Sequence, residues 1–190
     1  MAEVHVLSEG YVSDDDDRVG STVSFVRDGD VLVVVDPGLV PSRDAILDPL
    51  ARLGLAAEDV TDVVISHHHP DHTLNVALFP RARTHDHWAW YRDDVWTSRP
   101  AEGFELSGQV RLIETPGHSP QDVSTLVDTE EGLVVLTHLW WTSDAPIEDP
   151  NAPDPDLLHA NRARVLALPG LVRIVPGHGA PFAPDERTPR

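Results

Sequence analysis

The chain has 190 residues, with 32 acidic side chains against 14 basic ones and a formal net charge of −18 when histidine is neutral. Lysine is absent. Proteins that bind nucleic acid or anionic membrane surfaces neutralise phosphates with lysine and arginine, so the composition argues against both partners. The length suits one domain over residues 1–190, which is large enough to bury its own core.

The protein has no cysteine, which excludes disulfides and cysteine metal ligands. The first residues show no basic region followed by an apolar stretch, so no signal peptide is indicated. No run approaches the roughly 18 apolar residues of a membrane span. We therefore expect a cytoplasmic protein, and the sequence leaves a homo-oligomer open.

Strands and helices alternate along the chain, judged from hydrophobic periodicity and from the positions of glycine and proline. Strands are predicted at residues 4–12, 21–27, 31–35, 62–66, 81–85, 110–114, 122–127, 133–137 and 172–175. Helices are predicted at residues 41–53, 71–79 and 157–168, and a short one capped by Asp86 at residues 86–91. The acidic segments at residues 13–18 and 144–155 are predicted loops. This pattern indicates a mixed α/β fold.

Residues 66–72 place four histidines and one aspartate directly after a predicted strand. In extended backbone, side chains two residues apart point the same way, so His67 and His69 face one side together. His68 then points away and is expected to pack behind the site or to support it. Such a density of nitrogen donors indicates a metal site rather than a solvated loop.

Asp71 and His72 follow Pro70, which favours extended backbone before it and the first turn of a helix after it. Their side chains are therefore expected to approach the site from a second direction. Together with His67 and His69, they predict an arrangement for two metal ions.

Two later segments share one local pattern, in which an apolar strand ends in a Pro-Gly turn that carries a histidine. These histidines are His118 and His178. Imidazole and carboxylate ligands suit zinc or iron. The repetition of the pattern indicates a site built from the whole set of residues.

The order of these motifs resembles that of the metallo-β-lactamase superfamily, whose signature is His-x-His-x-Asp-His followed by two separate histidines. The match includes a strand that ends in Asp36-Pro37-Gly38, and it covers nearly the whole chain. More narrowly, the Pro-Gly-His turns and their flanks are similar to the branch called metallo-β-lactamase domain-containing protein 1. The resemblance implies a four-layer αββα sandwich, in which two sheets pack face to face and helices cover both outer faces.

The resemblance also implies two groups of ligands: His67, His69 and His118 for one metal, and Asp71, His72 and His178 for the other. Two zinc ions per chain are expected, with iron or manganese as alternatives. The two ions are expected to share a hydroxide that attacks the substrate. Asp71 is expected to accept or orient a proton as well as to bind metal.

The sequence departs from the family at His138, which stands where an aspartate that bridges both metals is usual. A carboxylate has two oxygens and spans two cations, whereas a neutral imidazole normally binds one. We therefore expect His138 to ligate a single metal, with a supporting hydrogen bond or a structural role as the alternatives. Asp144 is a candidate substitute for the missing carboxylate.

Other residues are candidates for the surroundings of the site. Asp36 is expected to support the ligands or to serve a turn, and His85 to line the rim or to be structural. A set of aromatic residues is expected either to form an apolar part of the pocket or to lie in the core or in an oligomer contact: Trp88, Trp90, Tyr91, Trp96, Trp140 and Trp141.

The expected function is a metal-dependent hydrolase that acts on a small-molecule ester, thioester, lactone, amide or phosphodiester. Two alternatives stay open because of His138. In the first, an all-nitrogen site formed by His67, His69, His118 and His138 binds one iron, as in family members of the persulfide dioxygenase type. In the second, the chain is a binding protein whose catalytic site has been retired.

Overall fold

The structure is a computed structural model that describes residues 1–144 and 146–190. The strands are β1 (Glu3–Ser8), β2 (Tyr11–Val12), β3 (Val19–Gly20), β4 (Val23–Asp28), β5 (Val31–Val35), β6 (Asp62–Val64), β7 (Arg83–His85), β8 (Ala89–Arg92), β9 (Val95–Ser98), β10 (Val110–Glu114), β11 (Val123–Thr129), β12 (Gly132–Thr137) and β13 (Leu171–Pro176). The helices are α1 (Asp44–Arg52), α2 (Pro70–Thr73) and α3 (Pro155–Leu166), with 3₁₀ turns at Ala57–Asp59 and Val76–Leu78. None of the helices in these two ranges is long and apolar enough to cross a lipid bilayer.

The strands of the described residues form two sheets and a small hairpin. The larger sheet has the order β1-β4-β5-β6-β7-β8-β9, the smaller has the order β10-β11-β12-β13, and β2 pairs with β3. Strands β5, β6 and β7 run parallel to one another, and β12 runs parallel to β13. The chain segments that leave the carboxyl ends of β6, β12 and β13 carry predicted ligands.

Alternation along β5 assigns its side chains to two different cores. Val33 and Val35 lie in the core between the sheets, whereas Val34 lies in the core beneath α1. Leu158 of α3 packs in a third core on the outer face of the smaller sheet. The layers therefore follow the order helix, sheet, sheet, helix, which confirms the predicted αββα sandwich.

The short helix predicted at residues 86–91 is wrong. The chain turns at Asp86 and enters β8, which pairs antiparallel with β7. The carboxylate of Asp86 accepts the backbone N–H groups of Trp88 and Ala89 at 2.8 and 2.9 Å. Asp86 therefore caps backbone N–H groups, as the sequence indicated. The turn that it stabilises joins two strands and does not begin a helix.

Two other predicted elements are interrupted. The strand predicted at residues 4–12 divides into β1 and β2, because the chain leaves the larger sheet near Gly10, whose N–H donates to Thr22 Oγ1 at 3.1 Å. The helix predicted at residues 71–79 ends at Thr73, and only a 3₁₀ turn follows. At this interruption the backbone N–H of Asn75 donates to the carbonyl of Pro37 at 2.8 Å, which anchors the segment to the end of β5.

Candidate metal centre

The predicted ligands converge at one edge of the sandwich, beyond the ends of several strands. His67 follows β6, and its ring centroid is 4.9 Å from that of His118 and 4.6 Å from that of His138. The ring centroid of His178 is 5.0 Å from that of His138. Because these histidines follow strands of both sheets, the cluster depends on the packing of the whole sandwich.

Three overlapping groups of side chains in the described part of the chain are arranged so that they could hold a metal ion. The groups are His67, His69 and His118; Asp71, His72 and His178; and His67, His72 and His138. In each group, one ligand atom from each residue lies within 4.8 Å of the others. The structure thus brings together every ligand that was predicted from the sequence. Their role as metal ligands stays a prediction.

Buried nitrogen atoms in the cluster indicate a cation as their partner. Nε2 of His67, Nε2 of His72 and Nδ1 of His138 are buried and have no hydrogen-bond partner among the described residues. An unpaired buried polar atom costs about 1–3 kcal/mol. Because a metal ion would bind these lone pairs, the donor set fits a transition metal such as zinc or iron.

Neighbouring groups hold the second nitrogen of several rings. Nδ1 of His67 lies 2.9 Å from Oγ of Ser66, and Nδ1 of His178 lies 2.9 Å from the carbonyl oxygen of Gly20. Such contacts fix the orientation of a metal-binding imidazole and leave Nε2 free for the metal. The contact with Gly20 also joins the N-terminal hairpin to the last predicted ligand.

Asp36 supports both His72 and the start of the histidine segment. Its Oδ2 lies 3.0 Å from Nδ1 of His72, and its Oδ1 accepts the backbone N–H of Ser66 at 2.7 Å. Its φ of 52° lies in the left-handed region, which aspartate tolerates better than most residues. Burial opposes protonation of His72, but the carboxylates of Asp36 and Asp71 outweigh burial and raise the pKa of His72 to about 9. The expected supporting role of Asp36 agrees with these contacts.

Gly38 allows the chain after β5 to contact the segment that carries Asp71. The backbone N–H of Leu39 donates to the carbonyl oxygen of Asp71 at 2.7 Å. A Cβ atom at residue 38 would overlap the backbone of Asp71 and His72. The Asp-Pro-Gly motif therefore serves the centre twice, since its aspartate holds a ring and its glycine makes room for the ligand backbone.

Asp149 is a supporting residue that the sequence analysis missed. Its Oδ2 lies 2.7 Å from Nδ1 of His118 and accepts the indole N–H of Trp141 at 2.8 Å. Asp149 is buried although it lies in the proline-rich acidic segment that the sequence predicted only as a loop. Asp144, the candidate substitute ligand, lies exposed in a turn of the same loop. No local pattern in the sequence separates these two aspartates.

We expect Asp149→Asn to lower metal affinity about 10- to 100-fold, the usual effect of losing a carboxylate that orients a ligand histidine. The change keeps the size of the side chain but removes the charge that favours an N–H at Nδ1 of His118. Competition with a chromogenic chelator measures the affinity. Asp144→Asn is the matched control, because it removes the same charge from the same loop at an exposed position. Equal affinities for the two variants would contradict the assigned role.

Asp122 holds the turn that carries His118. Its carboxylate accepts the backbone N–H of Ser119 at 2.9 Å and the hydroxyl of Ser119 at 2.6 Å. Burial raises the pKa of Asp122 to about 6, and the hydrogen bonds from Ser119 oppose that effect. Asp122 therefore closes the Pro-Gly-His turn from its flank.

The electrostatics of the cluster favour neutral rings at His67, His138 and His178, in contrast to His72. Burial, reinforced by the neighbouring imidazoles, lowers the pKa of His67 and of His138, and it lowers the pKa of His178 to about 4. Burial favours the neutral form of Asp71, but His72 and His178 outweigh it and lower the pKa of Asp71 to about 2. At neutral pH these three histidines therefore present free imidazole lone pairs beside one ionised carboxylate, whereas His72 has to lose a proton before it binds a metal.

His68 and His85 lie outside the ligand groups. His68 points away from the ligand groups, as strand alternation predicted, but it is exposed and does not pack behind the site; its Nε2 lies 3.1 Å from Oδ2 of Asp86. His85 is fully buried, with its Nε2 2.8 Å from Oδ1 of Asp62. Of the two roles considered for His85, the structure supports the structural one.

The aromatic residues separate into three environments. Trp141 borders the cluster, with ring centroids 6.0 Å from that of His118 and 6.4 Å from that of His178. Trp140 is completely buried in the core beside α3, so a pocket role for it is wrong. The remaining aromatics lie on the β8–β9 hairpin and the turn before it, where Trp88 stacks near His68 at 5.5 Å.

Residues 16–180 match the family model described as the metallo-beta-lactamase superfamily. A protein of Xenopus laevis named metallo-beta-lactamase domain-containing protein 1 is 33% identical over 190 residues, which cover 94% of this chain and 80% of that protein. An N-acyl homoserine lactonase of Bacillus cereus is 34% identical over 110 residues, which cover 50% of this chain and 44% of that protein.

A crystal structure from Thermotoga maritima that is assigned to the metallo-beta-lactamases superposes with a TM-score of 0.76 at 23% identity. The superposition covers 96% of this chain and 99% of that one. At this identity the likeness concerns the fold, and it agrees with the layers described above. The family model, the relatives and the cluster of histidines lead to one conclusion: the chain belongs to the metallo-beta-lactamase superfamily.

Proposed function

We propose that the protein is a hydrolase that binds two metal ions, most favourably zinc, and cleaves a small ester, thioester, lactone, amide or phosphodiester. The observation that carries the proposal is the convergence of partnerless buried nitrogens within groups of potential ligands. The superfamily consists mostly of metallo-hydrolases, and the similarity to a lactonase supports the same class of reaction.

The chain's own residues are suited to hold the ions and to manage a proton. His67, His69 and His118 form one position, and Asp71, His72 and His178 form the other. Metal ions bound there would supply Lewis acidity and lower the pKa of a water molecule. Asp71 is ionised at neutral pH and only half-buried, with Oδ2 3.4 Å from Nε2 of His72, so it can accept or orient a proton at the centre.

The surroundings of the centre favour an uncharged or weakly charged substrate. His69 is exposed, so a molecule can approach the cluster from that side. Trp141 offers a partly exposed indole beside His118, which suits an apolar group of the substrate. The net charge of −18 opposes the approach of strongly anionic molecules.

The first test is the metal content of protein purified without added metal, combined with hydrolysis assays. About two zinc ions per chain, with cleavage of at least one of p-nitrophenyl acetate, an N-acyl lactone or bis-p-nitrophenyl phosphate, would support the proposal. A chain that holds metal but cleaves none of these classes of substrate would count against it. A chain that cannot bind metal at all would refute it.

His69→Ala is expected to lower hydrolysis at least about a hundredfold and to reduce metal at saturation from two ions to one. The reason is that it removes a ligand from only one of the two positions. Atomic absorption and the fastest of the hydrolysis assays check the result. His68→Ala is the matched control, since the neighbouring side chain points away from the cluster and its loss should leave both quantities unchanged.

A further inference from the structure

The group formed by His67, His72 and His138 differs from the other two groups. All three of its residues are buried, whereas each of the other groups includes a residue that is exposed or only partly buried. Among the candidate ligands, the buried nitrogens without hydrogen-bond partners belong to the same three residues. Two separate observations, the mutual distances and the missing partners, thus select one trio of imidazoles.

This trio shares a residue with each of the outer positions. His67 also belongs to the group with His69, and His72 also belongs to the group with Asp71. Each shared ring has a single free nitrogen, because Nδ1 of His67 contacts Ser66 at 2.9 Å and Nδ1 of His72 contacts Asp36 at 3.0 Å. A neutral imidazole binds one cation through one lone pair.

A cation held by the trio therefore takes one ligand from each outer position. The outer positions would keep only two ligands each, which is too few for a stable site of the usual four-coordinate kind. Occupation of the trio and full occupation of the outer pair exclude each other. An aspartate at residue 138 would not create this conflict, because its two oxygens span two ions.

We propose that His67, His72 and His138 form a central, all-nitrogen position that takes the first divalent transition-metal ion, and that a second ion shifts the centre to the outer pair. This inference rests on the proposed function, since it concerns the same ligands. It goes further by assigning an order of binding and a change of ligands between the two steps.

The order follows from the state of the lone pairs before metal binds. The three nitrogens of the trio are buried without a hydrogen bond, although Nε2 of His72 lies 3.4 Å from Oδ2 of Asp71, so the first ion offsets the desolvation cost of the nitrogens of His67 and His138. In the outer groups, His69 is exposed and its Nδ1 already contacts Nε2 of His118 at 3.0 Å. Nε2 of His178 likewise contacts Nε2 of His138 at 3.1 Å. Because those nitrogens already have contacts, binding a metal stabilises them less than it stabilises nitrogens without contacts.

The test is a titration of the metal-free protein with cobalt(II), followed by its visible absorption. For the wild type, we expect the absorption spectrum produced by the first equivalent of cobalt(II) to change shape when the second equivalent is added. The spectral changes of the two steps are then not additive. For His138→Ala, which leaves all six outer ligands in place, we expect two additive steps and a second affinity at least about tenfold higher than in the wild type. Additive steps in the wild type, or identical titrations of both proteins, would overturn the proposal.

A second measurement avoids the variant, which removes a buried ring. At one equivalent of cobalt(II), the hyperfine-shifted imidazole N–H signals of the wild type count the bound histidines. We expect signals from three bound rings, and they should persist at one equivalent in His69→Ala because the trio does not include that residue. Loss of these signals in His69→Ala would place the first ion in an outer group and contradict the inference.

The outcomes also separate this inference from the proposed function. If two ions bind, hydrolysis is seen and the steps are additive, the outer pair stands and the central position is wrong. If the wild type binds no cobalt(II) or zinc, both are wrong.

Discussion

Replacement of Gly38 by alanine is expected to destabilise the metal-free protein by about 3 kcal/mol or more and to weaken metal binding. A Cβ atom there would overlap the backbone of Asp71 and His72, and backbone cannot move aside as a flexible side chain can. The contact of Leu39 with Asp71 and the position of two ligands should be lost together. Chemical denaturation in the presence of a chelator measures the stability, and zinc titration measures the binding.

Gly108→Ala is the matched control for this substitution. A Cβ atom at residue 108 meets nothing within 4 Å, and its backbone is not in the left-handed region. We expect its stability to stay within about 0.5 kcal/mol of the wild type. If Gly38→Ala were as stable as Gly108→Ala and bound metal equally well, the close approach of residue 38 to the backbone of Asp71 and His72 would not be important for stability or for metal binding.

The second prediction is that metal affinity rises steeply with pH, about tenfold per unit between roughly pH 6.5 and 9. The pKa of His72 is raised to about 9, so a metal must displace its proton throughout this interval. The metal-free protein should show the opposite trend. A raised histidine pKa contributes stability that is fully present below pH 6.5 and is lost as the pH rises through 9, about 3 kcal/mol in total.

Asp36→Asn tests the cause of both trends, because Asp36 is the main charge that raises the pKa of His72. Both slopes should become shallower in this variant, whatever happens to the absolute affinity. Zinc titrations in the presence of a competing chelator and denaturation with chelator, each between pH 7 and 9, provide the comparison. Unchanged slopes would show that His72 is not the group that titrates.

The sequence predicted the fold and the convergence of the candidate ligands well where a pattern was local. Alternation and the proline after His69 correctly indicated which side chains face the cluster, and β5 and β10 were predicted with their observed bounds. The order of the layers came from the resemblance to a family. It did not come from periodicity, which indicates only a mixed fold.

The sequence failed where a contact joins distant segments. Asp149 contacts His118 across 31 positions, and nothing in the acidic loop distinguishes it from its neighbours. Asp86 has the signature of a helix cap, yet the pairing of β8 with β7 decides its surroundings. The central trio was missed for the same reason, because it depends on how β6 and β12 pack and not on any spacing along the chain.

The contact between Gly20 and His178 has a consequence for the kinetics of folding. These residues are 158 positions apart, so a loop that spans most of the chain must close before the last ligand is in place. The metal centre is therefore expected to form late, after the main barrier to folding. Interactions that form after the barrier slow unfolding but do not speed folding. Metal should thus lengthen the lifetime of the folded protein and leave its rate of formation almost unchanged.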